Sequence, residues 1–528
     1  MRRRLEAMEI STYFRRNKWT AMAASVWIQC TSGSSYCFGI YSPLLKSSQS
    51  YDQSTLDSVA FFKDAGANIG VLSGFLYSYF ASGDGPIVVL AAGAIQCFAG
   101  YFLMWLSVTG ALPRPPPGLM CFYMLLAAHS QTFFNTADVV TAVENFPGSR
   151  GTVVGIMKGF LGLSGAILIQ IFRTLFNGNS SSFLLMLALL PSLLPLLLMF
   201  FVQVHHTRGG DNLRYLKAFS FIVMSVAIFL MIVIIGEHFI TLKFSTRIIL
   251  FLLLLLLLLS PLSVVFKAHL TELRTRSECP HHDEIRLIEE INPLKNKIGQ
   301  GQTLLPRVEN MNLFQAMSTS EFWLLFLVMA CAMGSGLATV NNISQIGSSL
   351  DYSSTETSTL VSLWSIWNFL GRFGGGYMSD YFLREQGCAR PFFIALTLAL
   401  MSVGHVIISS GFPGSLHLGS VLIGVCYGSQ WSLMPTITSE LFGIRHFGTI
   451  FNTVAIASPV GSFFLSVRVV GYIYDMESSS GICKGRHCFM LSFLIMAFTT
   501  TIGFFISMAL FFRTRMFYKQ FMLMRTLS

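Results

Sequence analysis

Arg372 lies in the middle of the apolar helix with which the stretch 357–391 begins. A charge among apolar residues must face a water-filled cavity or a partner, so Arg372 is a candidate contact for an anionic group. The stretch continues through Gly376, Asp380 and Arg384 to the predicted membrane edge. There, Asp380 and the arginines that follow can be solvated and can pair across a gate, while Gly376 lets a neighbouring helix approach closely.

Other polar side chains within predicted spans are further candidates for solute contact. Lys63 and Asp64 are adjacent, so their side chains point about 100° apart on a helix and cannot form a simple face-to-face pair. We expect one to face a cavity and the other a neighbouring helix. Lys158 and Arg468 could instead extend towards the membrane surface, and polar amides can also hold helices together. The candidate solute contacts are Tyr36, Lys63, Asp64, Asn68, Asn341, Gln345, Asn368, Arg372, Gln430 and Arg468.

Cations outnumber carboxylates at the depths predicted for the middle of the bilayer. Because positive charge in a low-dielectric cavity attracts negative charge strongly, this excess favours a small organic anion, such as a carboxylate, as the solute. The carboxylates available for coupling to a proton or for locking a gate are Asp138, Glu144, Asp380 and Glu440. No catalytic triad, metal-ligand cluster or nucleotide-phosphate motif occurs at a recognisable spacing, so we expect no enzymatic activity, cofactor or bound metal.

The composition predicts an integral membrane protein. Of 528 residues, 53% are hydrophobic and only 11% are charged, whereas a soluble protein carries about 25% charged residues. The net charge of +10 is carried by loops between apolar runs, which argues against a nucleic-acid partner and for the lipid bilayer. Runs of about 20 apolar residues recur along the whole chain. We predict fourteen spans, at roughly 19–43, 55–80, 86–108, 119–143, 149–175, 182–203, 215–236, 246–266, 320–346, 357–382, 391–411, 417–441, 447–474 and 488–512.

The loop charges predict the orientation. Lysine and arginine are concentrated in the loops on the side of both termini, which places the termini in the cytosol. The sequon at Asn179 then lies in an outer loop, where it can be glycosylated. Cys483 and Cys488 lie in another outer loop and are either a disulfide, as a non-cytosolic compartment allows, or two free thiols. The plasma membrane and the endoplasmic reticulum both fit this arrangement.

The two halves of the chain resemble each other. Residues 53–80 and 357–382 both begin S-T-L-x-S and both end in glycine, five residues and phenylalanine, with Ser78 in the place of Asp380. Glu144 and Glu440 each close a span, and a Gly-Thr pair opens the span after each of them. Spans one to six therefore match spans nine to fourteen. The predicted gate residues are Glu144, Arg150, Gly376, Asp380, Arg384 and Glu440.

Two six-helix halves in parallel repeat are expected to hold a solute site between them near the middle of the membrane. Spans seven and eight are additional, and the uniformly apolar eighth, FLLLLLLLLSPL, is predicted to be a peripheral, lipid-facing filler. The predicted segments are a basic cytosolic N-terminus (1–18), a six-helix half (19–203), two added helices (204–266), a cytosolic linker (267–318), a second six-helix half (319–512) and a basic cytosolic tail (513–528).

The motif G-x-x-x-D at 376–380 resembles the loop signature of the major facilitator superfamily. The segments KWT at 18–20, GSSYCFGIYS at 33–42, FKDAGANIGVLSG at 62–74 and ICKGRHCF at 482–489 are similar to its plant nodulin-like branch, which includes nuclear-fusion-defective-4-like proteins. This resemblance implies an all-α polytopic fold with about fourteen spans. It also implies a multi-pass transporter of plant origin that works by alternating access.

More distantly, the chain is similar to the oxalate–formate and monocarboxylate transporters. In those families an arginine just before the second signature contacts the substrate carboxylate, and Arg372 matches that position. The monocarboxylate carriers place an aspartate where this chain has Asn368 and a lysine near Ile40, which argues against a simple proton–monocarboxylate cycle. The alternative is a transport-inactive membrane regulator or scaffold that keeps the fold, because the first half lacks the signature acid at Ser78.

Overall fold

The structure, a computed structural model, describes residues 17–80, 84–176, 179–205, 213–240, 242–278, 310–477 and 483–527. Within these ranges the chain forms helices and no strand. The predicted N-terminal segment, up to residue 16, and most of the predicted linker, 279–309, lie outside the described residues.

The first half consists of eight α-helices, two pairs of which follow one another within a single span. A short 3₁₀ turn, Ser34–Cys37, separates the first two helices, and two residues separate the third from the fourth. The helices are α1 (Lys18–Ser32), α2 (Phe38–Gln49), α3 (Gln53–Asn68), α4 (Val71–Tyr79), α5 (Gly85–Val108), α6 (Pro117–Asn145), α7 (Arg150–Leu175) and α8 (Ser180–Leu198).

Three further helices precede the second half, which ends in a helix of 41 residues. The added helices are α9 (Leu213–Phe239), α10 (Phe244–Leu259) and α11 (Pro261–Glu278). The second half contains α12 (Leu313–Met317), α13 (Ser320–Ser349), α14 (Ser354–Gln386), α15 (Pro391–Ser410), α16 (Ser415–Leu441), α17 (Phe447–Ala455), α18 (Ala457–Ser462), a π-helical stretch (Phe463–Gly471), α19 (Tyr472–Glu477) and α20 (His487–Leu527). Helix α20 continues through most of the segment predicted to be a separate tail.

Among the described residues, nine helical segments are long and apolar enough to cross a membrane. The predicted number of fourteen spans stays a prediction. Five predicted spans fall outside the nine because they are interrupted or carry many polar residues, and each of them supplies side chains to the cavity described below. A polar interior surface is therefore the reason that these five have the weakest apolar signal.

Contacts between the halves are made by matching pairs of helices. Helix α14 of the second half packs along α7 of the first, and α4 of the first packs against α17 of the second. The added helices differ from one another in burial. Helix α10 is largely exposed, with Leu254 as its buried residue, which agrees with a lipid-facing position. Helix α9 instead contacts both α7 and α14, so it touches both halves.

The structure contains a disulfide that joins Cys483, in the preceding loop, to Cys488 in the first turn of α20. The loop is attached to the end of α13, because Ser349 Oγ donates to the Cys483 carbonyl at 2.9 Å and Gly485 N–H donates to the Ser349 carbonyl at 2.8 Å. At the same end of the bundle, the Asn179 side chain accepts hydrogen bonds from the first turn of α8, and its glycosylation stays a prediction.

Replacing both Cys483 and Cys488 by serine should lower the free energy of unfolding by about 2 kcal/mol, the chain-entropy contribution of a short loop. The measurement is an SDS titration of purified protein in mixed micelles. Cys388→Ser, which removes a free thiol on another loop, is the control and should leave the midpoint unchanged. Equal midpoints for the double variant and the native protein would show that the disulfide is absent or does not constrain the loop.

Candidate functional site

A cavity of about 500 Å³ lies between the two halves. Its wall includes side chains from helices of both halves, as expected for a solute site at their interface. Seven of the ten predicted solute contacts line it, namely Tyr36, Lys63, Asp64, Asn68, Asn341, Asn368 and Arg372.

Arg372 is held in place at the cavity wall by three oxygen atoms, none of which belongs to a carboxylate. Its Nε donates to Asn368 Oδ1 at 2.9 Å, one turn earlier on α14. Its two terminal nitrogens donate across the interface to the Lys158 carbonyl at 3.0 Å and to the Tyr36 hydroxyl at 3.3 Å. The side chain is only 2% exposed. These contacts orient the guanidinium but leave its charge uncompensated within the described part of the chain.

Lys158 on α7 supplies a second cation to the same wall and is 1% exposed. Its Nζ lies 5.1 Å from the ring centroid of Trp431 and 5.3 Å from that of Phe451. The Arg372 guanidinium carbon lies 5.8 Å from the same Trp431 ring. Aromatic faces stabilise cations, so Trp431 keeps both charges in the cavity. Lys158 forms no ion pair with a residue that the structure describes.

Lys63 and Asp64 pair with each other, at 2.8 Å between Nζ and Oδ1, and both line the cavity. The prediction was that they could not form a simple face-to-face pair and that one would face the cavity and the other a neighbouring helix; it is wrong in that they do pair and both line the cavity. The lysine side chain is long enough to fold back across the 100° offset. The pair cancels its own charge, so the cavity keeps an excess of two positive charges, from Lys158 and Arg372.

Three predicted solute contacts do not line this cavity. Gln345 is exposed one turn beyond Asn341. Arg468 is exposed in the π-helical stretch, where its guanidinium carbon lies 5.6 Å from the Phe463 ring centroid. Gln430 is fully buried, and its Nε2 lies 3.5 Å from Thr397 Oγ1 and from Met401 Sδ.

Lys158, Trp431 and Phe451, which form the cationic wall of the cavity, are among the lining residues that sequence reasoning left out of the proposed site. Lys158 carried a usable signal, a cation within a predicted span, but it was given no preference over Arg468. Trp431 and Phe451 carried none, since aromatic residues are common throughout apolar helices. The missing information was helical phase near the interface, which depends on packing between the halves.

A second constellation closes the cavity at the C-terminal end of α14, about 12 Å along the helix from Arg372. The Asp380 carboxylate accepts hydrogen bonds from Gly151 N–H at 3.1 Å, from Thr152 N–H at 2.6 Å and from the Thr152 hydroxyl at 2.7 Å. A carboxylate of one half therefore caps the N-terminus of α7 in the other, where the helix dipole favours negative charge. A side-chain carbon on Gly376 would overlap the Gly151 carbonyl, so this close approach requires glycine.

Arg390 connects this cap to the end of α16. Its guanidinium bonds to Asp380 at 2.7 Å and to both oxygens of Glu440 at 2.8–3.0 Å. Glu440 also accepts a hydrogen bond from the Tyr518 hydroxyl of α20 at 3.0 Å. Asp380, Arg390 and Glu440 are each at least 98% buried. The expectation that Asp380 and the following arginines are solvated at the membrane edge is therefore wrong for Asp380 and Arg390, because packing of the halves covers them.

The other predicted gate residues lie around this network. Arg150 donates across the interface to the Ser439 carbonyl at 3.1 Å, and Arg384 Nε lies 3.4 Å from the Asp380 carbonyl. Glu144, the repeat counterpart of Glu440, is half-buried and forms no ion pair with a described residue.

The matching position in the first half lacks this lock. Ser78 stands in the place of Asp380, and Gly85 precedes a helix-opening proline as Arg390 does in the second half. The hydroxyls of Ser78 and Thr449, which correspond to Asp380 and Thr152, are both buried without a hydrogen-bond partner among the described residues. Among the residues that the structure describes, the charged lock therefore occurs at one of the two equivalent interfaces.

Comparison with known proteins agrees with this architecture. Residues 18–266 match the Nodulin-like family model, and residues 307–520 match the model of the NFD4 C-terminal domain. The chain therefore combines a nodulin-like domain with an NFD4 C-terminal domain. The break between the two matches falls within the predicted linker, and the predicted resemblance to the nodulin-like branch is confirmed.

Two relatives show which known proteins the chain is similar to in sequence. Protein NUCLEAR FUSION DEFECTIVE 4 of Arabidopsis thaliana is 27% identical over 548 residues, covering 96% of this chain and 91% of that protein. The probable transporter MCH1 of Yarrowia lipolytica is 27% identical over 220 residues, covering 38% of this chain and 45% of that protein.

Solved structures show the fold. The proton:xylose symporter XylE aligns with a TM-score of 0.56 at 12% identity, covering 94% of this chain and 95% of its own. The human organic anion transporter MFSD10 aligns with a TM-score of 0.55 at 11% identity, covering 93% and 99%. The predicted all-α major facilitator fold is confirmed, and with the transporter relatives it supports a membrane transporter.

Proposed function

We propose that this nodulin-like transporter carries a small organic anion, such as a carboxylate, by alternating access between its halves. The observation that supports the proposal is the pair of uncompensated cations, Lys158 and Arg372, on one cavity wall. Taking two such charges out of water is costly unless negative charge joins them. An anionic solute supplies that charge.

The chemistry of this cavity supports the solute class, whereas its structural relatives do not decide it. One of the two solved structures is a sugar symporter and the other is an organic anion transporter. Structural similarity at 11–12% sequence identity shows that the fold is shared but does not indicate the substrate. Trp431, beside both cations, offers an apolar face for the carbon skeleton of the solute. Each terminal nitrogen of Arg372 donates one N–H to the protein and has a second N–H for the carboxylate of the solute.

Lys158→Gln should reduce uptake of the best-carried carboxylate by more than about 10-fold, because it removes one of two charges that meet the anion in a low-dielectric cavity. Uptake of labelled mono- and dicarboxylates into proteoliposomes is the measurement. Arg468→Gln is the matched control, since it removes an exposed cation of the second half that lies outside the cavity, and it should retain native uptake.

Three outcomes of this assay would contradict the proposal. Uptake confined to sugars or cations would exclude an organic anion. An equal loss of uptake in Lys158→Gln and Arg468→Gln would show that the cavity is not the solute site. No uptake of any solute by protein shown to be folded would support the alternative, a membrane regulator that keeps the fold without transport.

Proton coupling and orientation belong to the same proposal. Asp64 is the one carboxylate among the described residues that line the cavity, and its partner Lys63 would be released if it took up a proton. Uptake measured with and without an inward proton gradient tests this coupling. The concentration of basic loops on one side supports cytosolic termini, in either the plasma membrane or the endoplasmic reticulum.

A further inference from the structure

A second cavity, of about 250 Å³, lies beside the gate rather than between the halves. It is bounded by the start of α7, the start of α9 and the end of α14. One wall therefore comes from each six-helix half and one from an added helix. The solute site does not extend into it, because the two cavities share no lining residue.

The charged side chains of this cavity favour an anion. Lys217 of α9 and Arg384 of α14 line it, and neither forms an ion pair with a described residue. Glu385 also lines the cavity and opposes them, which leaves one net positive charge. The cations approach from two different helices, an arrangement that suits a tetrahedral group with several oxygens.

Two buried hydroxyls give an independent indication of a ligand. Ser149 is fully buried and Ser220 is 91% buried, and both line the cavity. The Oγ atoms of both lack a hydrogen-bond partner among the described residues. A buried hydroxyl without a partner is unfavourable, so a ligand with acceptor oxygens would satisfy both donors.

The remaining wall distinguishes a lipid from a free anion. Leu213 and Leu216, in the first turn of α9, line the cavity, and Phe221, one turn beyond Lys217, is 74% exposed on α9. A polar pocket that continues into an apolar, outward-facing helix surface fits a headgroup with attached acyl chains. Basic pockets between transmembrane helices on the cytosolic side commonly bind anionic headgroups.

We propose that this cavity binds the phosphate group of an anionic phospholipid. The headgroup would bridge Lys217 and Arg384 and accept hydrogen bonds from Ser149 and Ser220. Thr152 lines the same cavity and donates to Asp380. A bound lipid therefore joins α7, α9 and α14 at the gate and favours its closed form.

The test counts lipids retained by purified full-length chain from nanodiscs of phosphatidylcholine and phosphatidylglycerol, by native mass spectrometry. The native chain should retain phosphatidylglycerol in preference to phosphatidylcholine. Lys217→Gln should reduce that retention about fivefold, as expected for loss of one basic contact near an anionic headgroup. Ser220→Leu, which fills the cavity and changes no charge, should reduce it at least as much.

Lys243→Gln is the matched control, because Lys243 is an exposed lysine preceding the added helix α10, and it should retain native lipid selectivity. Equal retention in all four proteins would overturn the site. If glycerol phosphate added to delipidated protein raised the thermal midpoint as much as phosphatidylglycerol did, and Lys217→Gln abolished both effects, the ligand would be a soluble phosphate and the lipid assignment would be wrong.

Discussion

Arg372→Gln is expected to lower carboxylate uptake by more than about 30-fold. Glutamine keeps a hydrogen-bonding side chain at the wall but removes the charge, and loss of one partner from a buried charged contact costs about 2 to 5 kcal/mol. The native guanidinium already has its Nε oriented by Asn368, at 2.9 Å. The substitution should therefore weaken binding of the solute. Uptake by proteoliposomes over a range of solute concentrations measures this effect.

Asn368→Asp is the companion variant for this position. It leaves Arg372 in place and puts a carboxylate where the amide oxygen now accepts, so the arginine charge is neutralised before a solute arrives. We expect a similar loss of uptake near neutral pH and recovery as the medium is acidified and the carboxyl takes up a proton. Native uptake in both variants, with the protein folded, would make Arg372 a structural bridge between the halves.

Arg390→Met is expected to lower the free energy of unfolding by about 3 to 5 kcal/mol. The substitution removes the shared partner of Asp380 and Glu440, and both carboxylates are almost fully buried. Their mutual repulsion would then act against the closed gate, and the cap on α7 would weaken. The measurement is SDS titration in mixed micelles, together with protease accessibility of the loops at this end.

Arg513→Met is the matched control for Arg390→Met. Arg513 also pairs with a glutamate, Glu321, at 2.9 Å, but its side chain is 54% exposed. An exposed pair contributes at most about 1 kcal/mol, so this variant should unfold close to the native midpoint. Equal losses in the two variants would mean that burial does not set the strength of the Arg390 network.

Much of the fold was predictable because it depends on local composition. Apolar run length, basic loops and the repeat between 53–80 and 357–382 need no three-dimensional information. The lipid-facing position of α10 was predicted from its uniformly apolar run, whereas the contacts of α9 with both halves were not, since α9 is also strongly apolar. What separates them is the neighbour that each one meets. The extension of α20 was obscured by Arg513, Arg515 and Lys519, which suggest a tail but are compatible with a helix leaving the bilayer.

Site residues were predictable where an ionisable side chain interrupts an apolar span. They were not predictable where contacts between distant helices determine whether a side chain is buried. Arg372 and Asp380 stood out as ionisable residues in or beside an apolar span. Arg390, the centre of the gate network, lies just before a proline in a short connection and was treated only as one of several basic residues at the edge. Its burial depends on packing against Glu440 of α16, 50 residues later in the sequence, and against the still more distant α20.

Helix α20 carries a consequence for how the chain can be handled and controlled. Tyr518 lies near its end, yet its hydroxyl bonds to Glu440 inside the gate. Displacing α20 at Tyr518 would therefore break its hydrogen bond to Glu440 of the gate. A reporter fused after Ser528, or a protein that binds this helix, is therefore expected to change how readily the gate opens and closes. Labels intended to be silent belong elsewhere on the chain.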